Sequence, residues 1–202
     1  MILKPPINFL SIVFILTLWF VSCKSPFATR TPEPPETRQS IWTAARSSDE
    51  VFENLTKAIS ERNADHYIRS FVDELYANQS FHFVPEQEVL NRYPDSFAGW
   101  DISKERKVMD LVFQSIAADS VCSITLSDAI NEVAAGDSVI TLREYTLRVH
   151  HQLPGIPTLF KGRAEFRLIE DQRGEWVIYH WTDYRLTEDA EPWSVLKAAL
   201  GG

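Results

Sequence analysis

Hydrophobic spacing constrains the fold of this chain more than any other feature, because its period changes near residue 120. Before that point, apolar side chains recur at every third or fourth position, as on one face of an α-helix. From 121 to 170 they alternate with polar side chains, as in strands with one buried face, and residues 176–184 are apolar on both faces, as in a covered strand. Helices followed by consecutive strands predict an α+β fold, in which a curved antiparallel sheet packs its inner face against the helices.

Three helices are expected in the first half. Ser47 and Glu50 have the spacing of a capping box at the start of the first helix, and an apolar stripe follows them. Asn63 is a suitable cap for a second, shorter helix. Asp101 or Ser103 can cap a third helix. The residues that lie between the first predicted strand and the third predicted helix have no clear hydrophobic period.

Five strands and a final helix complete the expected domain. Ile140 and Leu142 are apolar at even positions, whereas Tyr145 is apolar at an odd position, so they would face opposite sides of a regular strand. This change of face predicts a bulge near Arg143. Residues 193–200 are expected to dock as a helix. The predicted strands span 80–85, 121–127, 139–151, 159–170 and 176–184.

The residues before this domain have the pattern of a secretory leader and a spacer. Lys4 precedes an apolar run of 13 residues, whereas a helix that crosses a bilayer needs about 20. We therefore predict a signal peptide over 1–22, with a plain membrane anchor as the alternative. Residues 23–46 are expected to form a proline-rich, disordered linker, and the domain is expected to span 47–202.

The end of the leader, Phe20-Val21-Ser22-Cys23, resembles the bacterial lipobox, although Phe20 departs from the usual Leu. The resemblance implies that Cys23 carries a lipid that tethers the protein to a membrane of the cell envelope. Lys24 after the cysteine implies the outer membrane, facing the periplasm. Lipidation would leave Cys122 as the other cysteine, so no intramolecular disulfide is expected.

The charge and the motifs exclude several functions. A net charge of −8 and a pI near 5.1 argue against nucleic-acid binding, which needs a basic surface. The sequence contains no glycine-rich phosphate loop and no Gly-x-Ser-x-Gly elbow. Adjacent strand residues point to opposite faces, so His150 and His151 do not predict a zinc site, and their roles stay open. No cofactor and no metal ion is expected.

Three segments carry a resemblance to a known superfamily: the opening helix DEVFENLTKAISERN, the strand SFHFVP, and a closing strand with Gly174-Glu175-Trp176-Val177-Ile178 and Trp181-Thr182-Asp183. Residues 48–185 resemble the NTF2-like superfamily, also called SnoaL-like or ketosteroid-isomerase-like. The resemblance implies a cone with a pocket at its open end. Isomerase-like members tend to place a carboxylate base just before the proline that ends the first strand, where this chain has Val84.

Five side chains are candidates to line that pocket. Asp183 is the strongest polar candidate, and its alternative is a structural ion pair with Arg148 or Arg163. A histidine such as His82 can act as acid or base near neutral pH, although histidines are more often satisfied within the fold. The three aromatic candidates are explained equally well by core packing. The candidate ligand-binding residues are His82, Trp100, Tyr145, Trp181 and Asp183.

Three functions stay open on the sequence. The first is a tethered binding module for a small apolar or aromatic ligand, or for an envelope protein. The second is a small isomerase, dehydratase or hydrolase that uses His82 and Asp183 in one pocket. The third is a structural lipoprotein that forms a homodimer through the apolar face of residues 159–184.

Overall fold

The computed structural model describes residues 42–202. The predicted signal peptide, the lipidation site at Cys23 and most of the predicted linker lie outside the described residues. None of the helices within residues 42–202 combines the length and the apolar character needed to cross a membrane.

Six helices and six strands are present over this range, and we number each kind in chain order. The helices are α1 (Ser48–Glu61), α2 (Ala64–Ile68), α3 (Gln87–Arg92), α4 (Pro94–Phe97), α5 (Ile102–Gln114) and α6 (Trp193–Leu200). The strands are β1 (His82–Val84), β2 (Cys122–Leu126), β3 (Asn131–Ala135), β4 (Ser138–Val149), β5 (Leu159–Glu170) and β6 (Trp176–Arg185).

The predicted caps begin the three main helices. The Ser47 side chain accepts a hydrogen bond from the backbone of Glu50, and the Glu50 carboxylate accepts one from the backbone N–H of Arg46 at 2.6 Å. Asn63 and Asp101 cap α2 and α5 in the same way. These side chains satisfy N–H groups that have no partner within the helix, so the helix starts were readable from sequence.

The sheet has the order β1-β6-β5-β4-β2, and β3 also pairs with β4. Strands β2, β4, β5 and β6 pair in the predicted antiparallel order, whereas β1 pairs with β6 in parallel. Strand β3 was not predicted from the sequence. It forms a hairpin with β4 through a turn at Gly136, and it pairs with the first half of β4 while β2 pairs with the second half.

The bulge predicted at Arg143 is wrong. Strand β4 pairs with β5 without a break, and the register shift lies between Arg167 and Leu168 where β5 pairs with β6. Ile140 and Leu142 simply face outward, because the buried positions of this half of β4 include polar side chains.

Arg143 occupies its inward position because other groups satisfy its charge. Its Nη2 donates to Asp49 Oδ1 at 2.7 Å, and Nη1 donates to the carbonyl of Ser127 at 3.1 Å. The guanidinium also lies 4.3 Å from the ring centre of Phe52. A buried charge needs such partners.

The helices cover the apolar face of β5 and β6. Side chains such as Phe160, Phe166 and Trp181 are fully buried there. The outer face of β5 instead carries Arg163 and Arg167, which form ion pairs with neighbouring carboxylates. The face that the sequence offered for self-association is therefore part of the core.

Candidate functional site

The structure brings four of the five predicted pocket residues into the interior of the domain. Trp100, Tyr145, Trp181 and Asp183 are all buried on the inner side of the sheet. The fifth residue, His82, is exposed on the outer side.

His82 and Asp183 do not converge on one cavity. In the pairing of β1 with β6, His82 lies opposite His180, and the centres of the two imidazole rings are 5.3 Å apart. Asp183 is three residues beyond His180 and points to the inner face, because side chains alternate along a strand. The sheet therefore separates the two groups that the enzyme hypothesis needs in one pocket.

Asp183 binds hydroxyl and backbone donors. Its Oδ1 accepts from the Tyr145 hydroxyl at 2.6 Å, and Oδ2 accepts from the backbone N and the hydroxyl of Ser194 at 2.8 and 2.5 Å. Burial raises the pKa of Asp183 to about 6, although these hydrogen bonds oppose the change. The expected ion pair is absent among the described residues, since Arg163 pairs with Glu144 on the outer face.

A second buried polar cluster centres on Glu105, which was not predicted from the sequence. Lys197 Nζ lies 2.7 Å from both carboxylate oxygens. The Tyr67 hydroxyl donates to Oε1 at 2.6 Å, and Trp100 Nε1 donates to Oε2 at 2.8 Å. Both charged side chains have no exposed surface.

The pKa values in this cluster follow from burial. Burial lowers the pKa of Lys197, and the nearby Glu105 carboxylate opposes that change. Burial and the same carboxylate raise the pKa of Tyr67 well above its usual range. Tyr67 therefore acts as a neutral hydrogen-bond donor.

Aromatic rings surround the ammonium group of Lys197. The ring centres of Phe83 and Trp181 are each 3.8 Å from Nζ, and those of Trp100 and Trp193 are each 5.5 Å away. Helix α6 thus fills the place where the resemblance implied a pocket.

The sequence contains a pattern that indicates a buried polar contact for each of the two charged residues of this cluster. Glu105 lies on the same helical stripe as Val108, Met109 and Val112, and Lys197 is the one charged residue of α6. A charged residue on an apolar face indicates a buried partner. The pairing of the two could not be inferred, because they come from helices that are far apart in sequence.

The two unassigned histidines do not form a metal site. His151 Nε2 lies 2.8 Å from the carbonyl oxygen of Pro157, and Nδ1 accepts from the backbone of Leu153 at 3.1 Å. Within residues 42–202, no group of three or more His, Cys, Asp or Glu side chains is placed to hold a metal ion.

The outer surface carries a half-open groove of about 1060 Å³. It lies between α2, the segment 71–76, the start of α5 and the turn after β5. Its lining combines aromatic, aliphatic and charged side chains from separate stretches of the chain. The lining residues are Trp42, Asp65, His66, Ile68, Arg69, Phe71, Val72, Asp73, Glu74, Leu75, Tyr76, Ile102, Arg106, Arg173 and Glu175.

The groove has a mixed charge, with three arginines and four carboxylates in its lining, and two of the arginines lie close to aromatic rings. Arg69 lies 5.7 Å from the ring centre of Trp42, and Arg173 lies 4.1 Å from that of Tyr76. Leu75 is 81% exposed although it is apolar. The groove was not predicted from the sequence, because its walls come from parts of the chain that only folding brings together.

Comparison with known proteins identifies solved structures with a similar fold. No family model and no curated protein matches the sequence. Among solved structures, a candidate aromatic ring hydroxylase from Novosphingobium aromaticivorans is 14% identical, with a TM-score of 0.51, over 69% of this chain and 86% of that one. A conserved protein from Planctomyces limnophilus is 11% identical, with a TM-score of 0.51, over 67% and 91%.

A third solved structure is an NTF2-like superfamily protein from Salmonella enterica, 10% identical, with a TM-score of 0.49, over 70% of this chain and 89% of that one. At such identities the likeness concerns the fold alone. The described domain shares the fold of the first two of these structures, an open curved sheet packed on helices, which is the arrangement that the resemblance to the NTF2-like superfamily implies.

Proposed function

We propose that this protein is a binding module of the cell envelope that engages a protein partner through the groove around Leu75. The single observation that carries the proposal is that the interior is filled by the chain's own side chains, while the groove outside is open.

The filled interior argues against a small molecule held inside the cone. Trp181, Trp193 and Lys197 are fully buried there. A ligand pocket for a small molecule is usually a preformed concave space. Asp183 has a shifted pKa, but its carboxylate is enclosed by hydrogen-bond donors and has no histidine beside it.

The composition of the groove supports a protein partner. Trp, Tyr and Arg are the residues that most often dominate the energy of protein interfaces. Trp42, Tyr76, Arg69 and Arg173 supply these types at the groove, and the exposed Leu75 stands among them. A partner segment that covers Leu75 would remove an apolar side chain from water.

A lipid on Cys23 would hold this module at a membrane. The supporting pattern is the short apolar leader, the lipobox-like Phe20-Val21-Ser22-Cys23 and the proline-rich residues that follow. Lys24 favours the outer membrane, with the domain in the periplasm.

Site-specific crosslinking in cells tests the groove. A photoreactive amino acid in place of Leu75 in the full chain should give a discrete protein adduct. The same amino acid in place of the exposed Thr125, on the outer face of β2, is the matched control and should give none. Arg69→Glu should weaken the Leu75 adduct. Equal adducts at both positions, or none at Leu75, would refute the proposal.

Fatty-acid labelling tests the anchor separately. Cys23→Ser should abolish labelling of the chain and release the protein from the membrane fraction, because the thiol that carries the lipid is gone. Cys122→Ser is the control and should leave labelling unchanged, since Cys122 is buried within the domain. Persistent labelling of Cys23→Ser would contradict the anchor.

A further inference from the structure

We propose that the partner in the groove is a second copy of this chain, with the two grooves facing each other across a twofold axis. The proposal rests on the proposed function, because it names the protein that occupies the same groove. The surface is separate from the sheet face of residues 159–184, whose apolar side is buried in the core.

Leu75 lies in an ordered turn that keeps its side chain exposed. Asp73 Oδ1 accepts a hydrogen bond from the backbone N–H of Leu75 at 3.0 Å, and the Asp73 carbonyl accepts one from the backbone N–H of Tyr76 at 2.9 Å. The Tyr76 carbonyl accepts from the backbone N–H of Gln172 at 2.9 Å, which joins the turn to the residues after β5. A partner that covers Leu75 therefore binds a preorganised surface and loses little conformational entropy in ordering it.

The groove also has an apolar recess that can receive such a leucine. Ile68 and Ile102 line the groove, and both are partly buried against the core. One surface thus carries a protruding apolar side chain and an apolar recess. When two copies meet across a twofold axis, the leucine of each copy can enter the recess of the other, and the assembly closes at two chains.

Two charged side chains of the groove are available to pair with each other between copies. Arg106 and Arg173 already form ion pairs with carboxylates of their own domain. The Arg69 guanidinium and the Glu74 carboxylate, by contrast, make no hydrogen bond or ion pair with another residue of 42–202, and the guanidinium lies 5.7 Å from the ring centre of Trp42. A twofold contact would join Arg69 of each copy to Glu74 of the other, so both charges are matched at once.

The balance of charge in the groove favours a second copy over a strongly charged partner. The whole chain carries a net charge of −8, whereas the groove lining has three arginines and four carboxylates. A strongly acidic segment would meet the four carboxylates, and a strongly basic one would meet the three arginines. A second copy brings the same nearly balanced set of charges, so like-charge repulsion between the two grooves is small.

Co-purification of two differently tagged copies of the full chain, made in the same cells, tests the pairing. In wild type, capture of one tag should recover the other. Arg69→Glu in both copies, or Glu74→Arg in both copies, should lower the recovery about tenfold, because each reversal places like charges opposite each other. Arg69→Glu in one copy and Glu74→Arg in the other should restore the recovery, since both contacts then join opposite charges again.

Arg148→Glu in both copies is the matched control. Arg148 is an exposed arginine on the outer face of β4, away from the groove, and its reversal changes the net charge by the same amount as Arg69→Glu. It should leave recovery at the wild-type level. An equal loss with Arg148→Glu would overturn the proposal. So would a failure to restore recovery when the two groove reversals are placed in different copies.

The photocrosslinked adduct at Leu75 separates this proposal from the proposed function. An adduct with the mass of two chains supports the second copy as the partner. An adduct with a different protein, in cells where the tagged copies do not co-purify, would overturn the second copy and leave the groove as a protein interface. No adduct at Leu75 would overturn both.

Discussion

Single buried polar residues decide what the interior of this domain can do. Asp183 accepts from donors on β4 and α6, and Glu105 accepts from donors on α2, on α6 and in the loop before α5. A buried acceptor that loses a donor retains its desolvation cost, so each cluster is sensitive to the loss of one group. The two clusters therefore offer the sharpest tests at the scale of the residue.

The stability contribution of Asp183 should depend on pH. Burial raises its folded-state pKa to about 6 from 3.8, so between these values the folded protein binds a proton that the unfolded chain does not. Its contribution should be fully present below pH 4 and be lost as pH rises through 6. From pH 4 to pH 7, wild type should lose up to about 3 kcal/mol relative to Asp183→Asn.

Urea unfolding of both proteins at a series of pH values measures this difference. Other carboxylates titrate in both chains and cancel in the comparison. A wild-type-minus-variant difference that stays constant between pH 4 and pH 7 would show that Asp183 is ionised in the folded protein at low pH.

The Glu105–Lys197 pair should be strongly coupled. Lys197→Met should destabilise the domain by about 3 kcal/mol, because it leaves a buried carboxylate with no cation beside it. Glu105→Gln in addition should restore a large part of that loss, since the charge is then gone. Denaturant midpoints of both single variants and the double variant give the coupling energy. Additive effects would mean that the two groups do not share one interaction.

At the scale of elements, the close approach of β4 to β5 explains why residue 162 is a glycine. A Cβ on Gly162 would meet the hydroxyl and ring of Tyr145, and would lie 2.6 Å from the carbonyl oxygen of Tyr184. The strand must carry glycine there for Tyr145 to reach Asp183. The geometry of two neighbouring strands thus supports the interior cluster.

Gly162→Ala should therefore destabilise the domain by about 2 kcal/mol through overpacking. It should also change the near-ultraviolet circular dichroism, because the Tyr145 ring must move. Gly202→Ala is the matched control, since its Cβ would have its nearest neighbour at 3.8 Å. Thermal unfolding of the two variants compares them, and equal midpoints would argue against the close approach at Gly162.

At the scale of the whole domain, the folded unit includes residues before the predicted start at 47. Ala45 is buried, and its carbonyl accepts from the backbone N–H of Trp176 at 3.0 Å. Arg46 Nη1 donates to the carbonyl of Gly174 at 2.8 Å. These contacts join the first described residues to the turn between β5 and β6.

A fragment of residues 40–202 should consequently be more stable than one of residues 48–202. The shorter fragment lacks these two hydrogen bonds, the one from the Arg46 backbone to Glu50, and the Ser47 cap of α1, which are together worth about 3 kcal/mol. Guanidinium unfolding of the two fragments compares their free energies. If both fragments unfold at the same denaturant concentration, the first residues do not contribute to the fold.

Much of the architecture could be read from local patterns. Caps such as Ser47, Asn63 and Asp101 began helices as predicted, because capping depends on residues a few positions apart. Alternation located β2, β4 and β5, and an apolar run located β6. Strand β3 was not predicted, because its residues NEVAA show little apolar alternation. It is a strand because it pairs with β4.

By itself, the sequence determined the main helices, the strands β2, β4, β5 and β6, and most of their apolar faces, since those properties follow from neighbours along the chain. Only the tertiary structure decided that Lys197 meets Glu105, that Asp183 meets Ser194, and that α6 fills the interior. Such contacts join residues far apart in sequence, and no local period encodes their partners. The position of each buried charge is therefore a property of the packed domain.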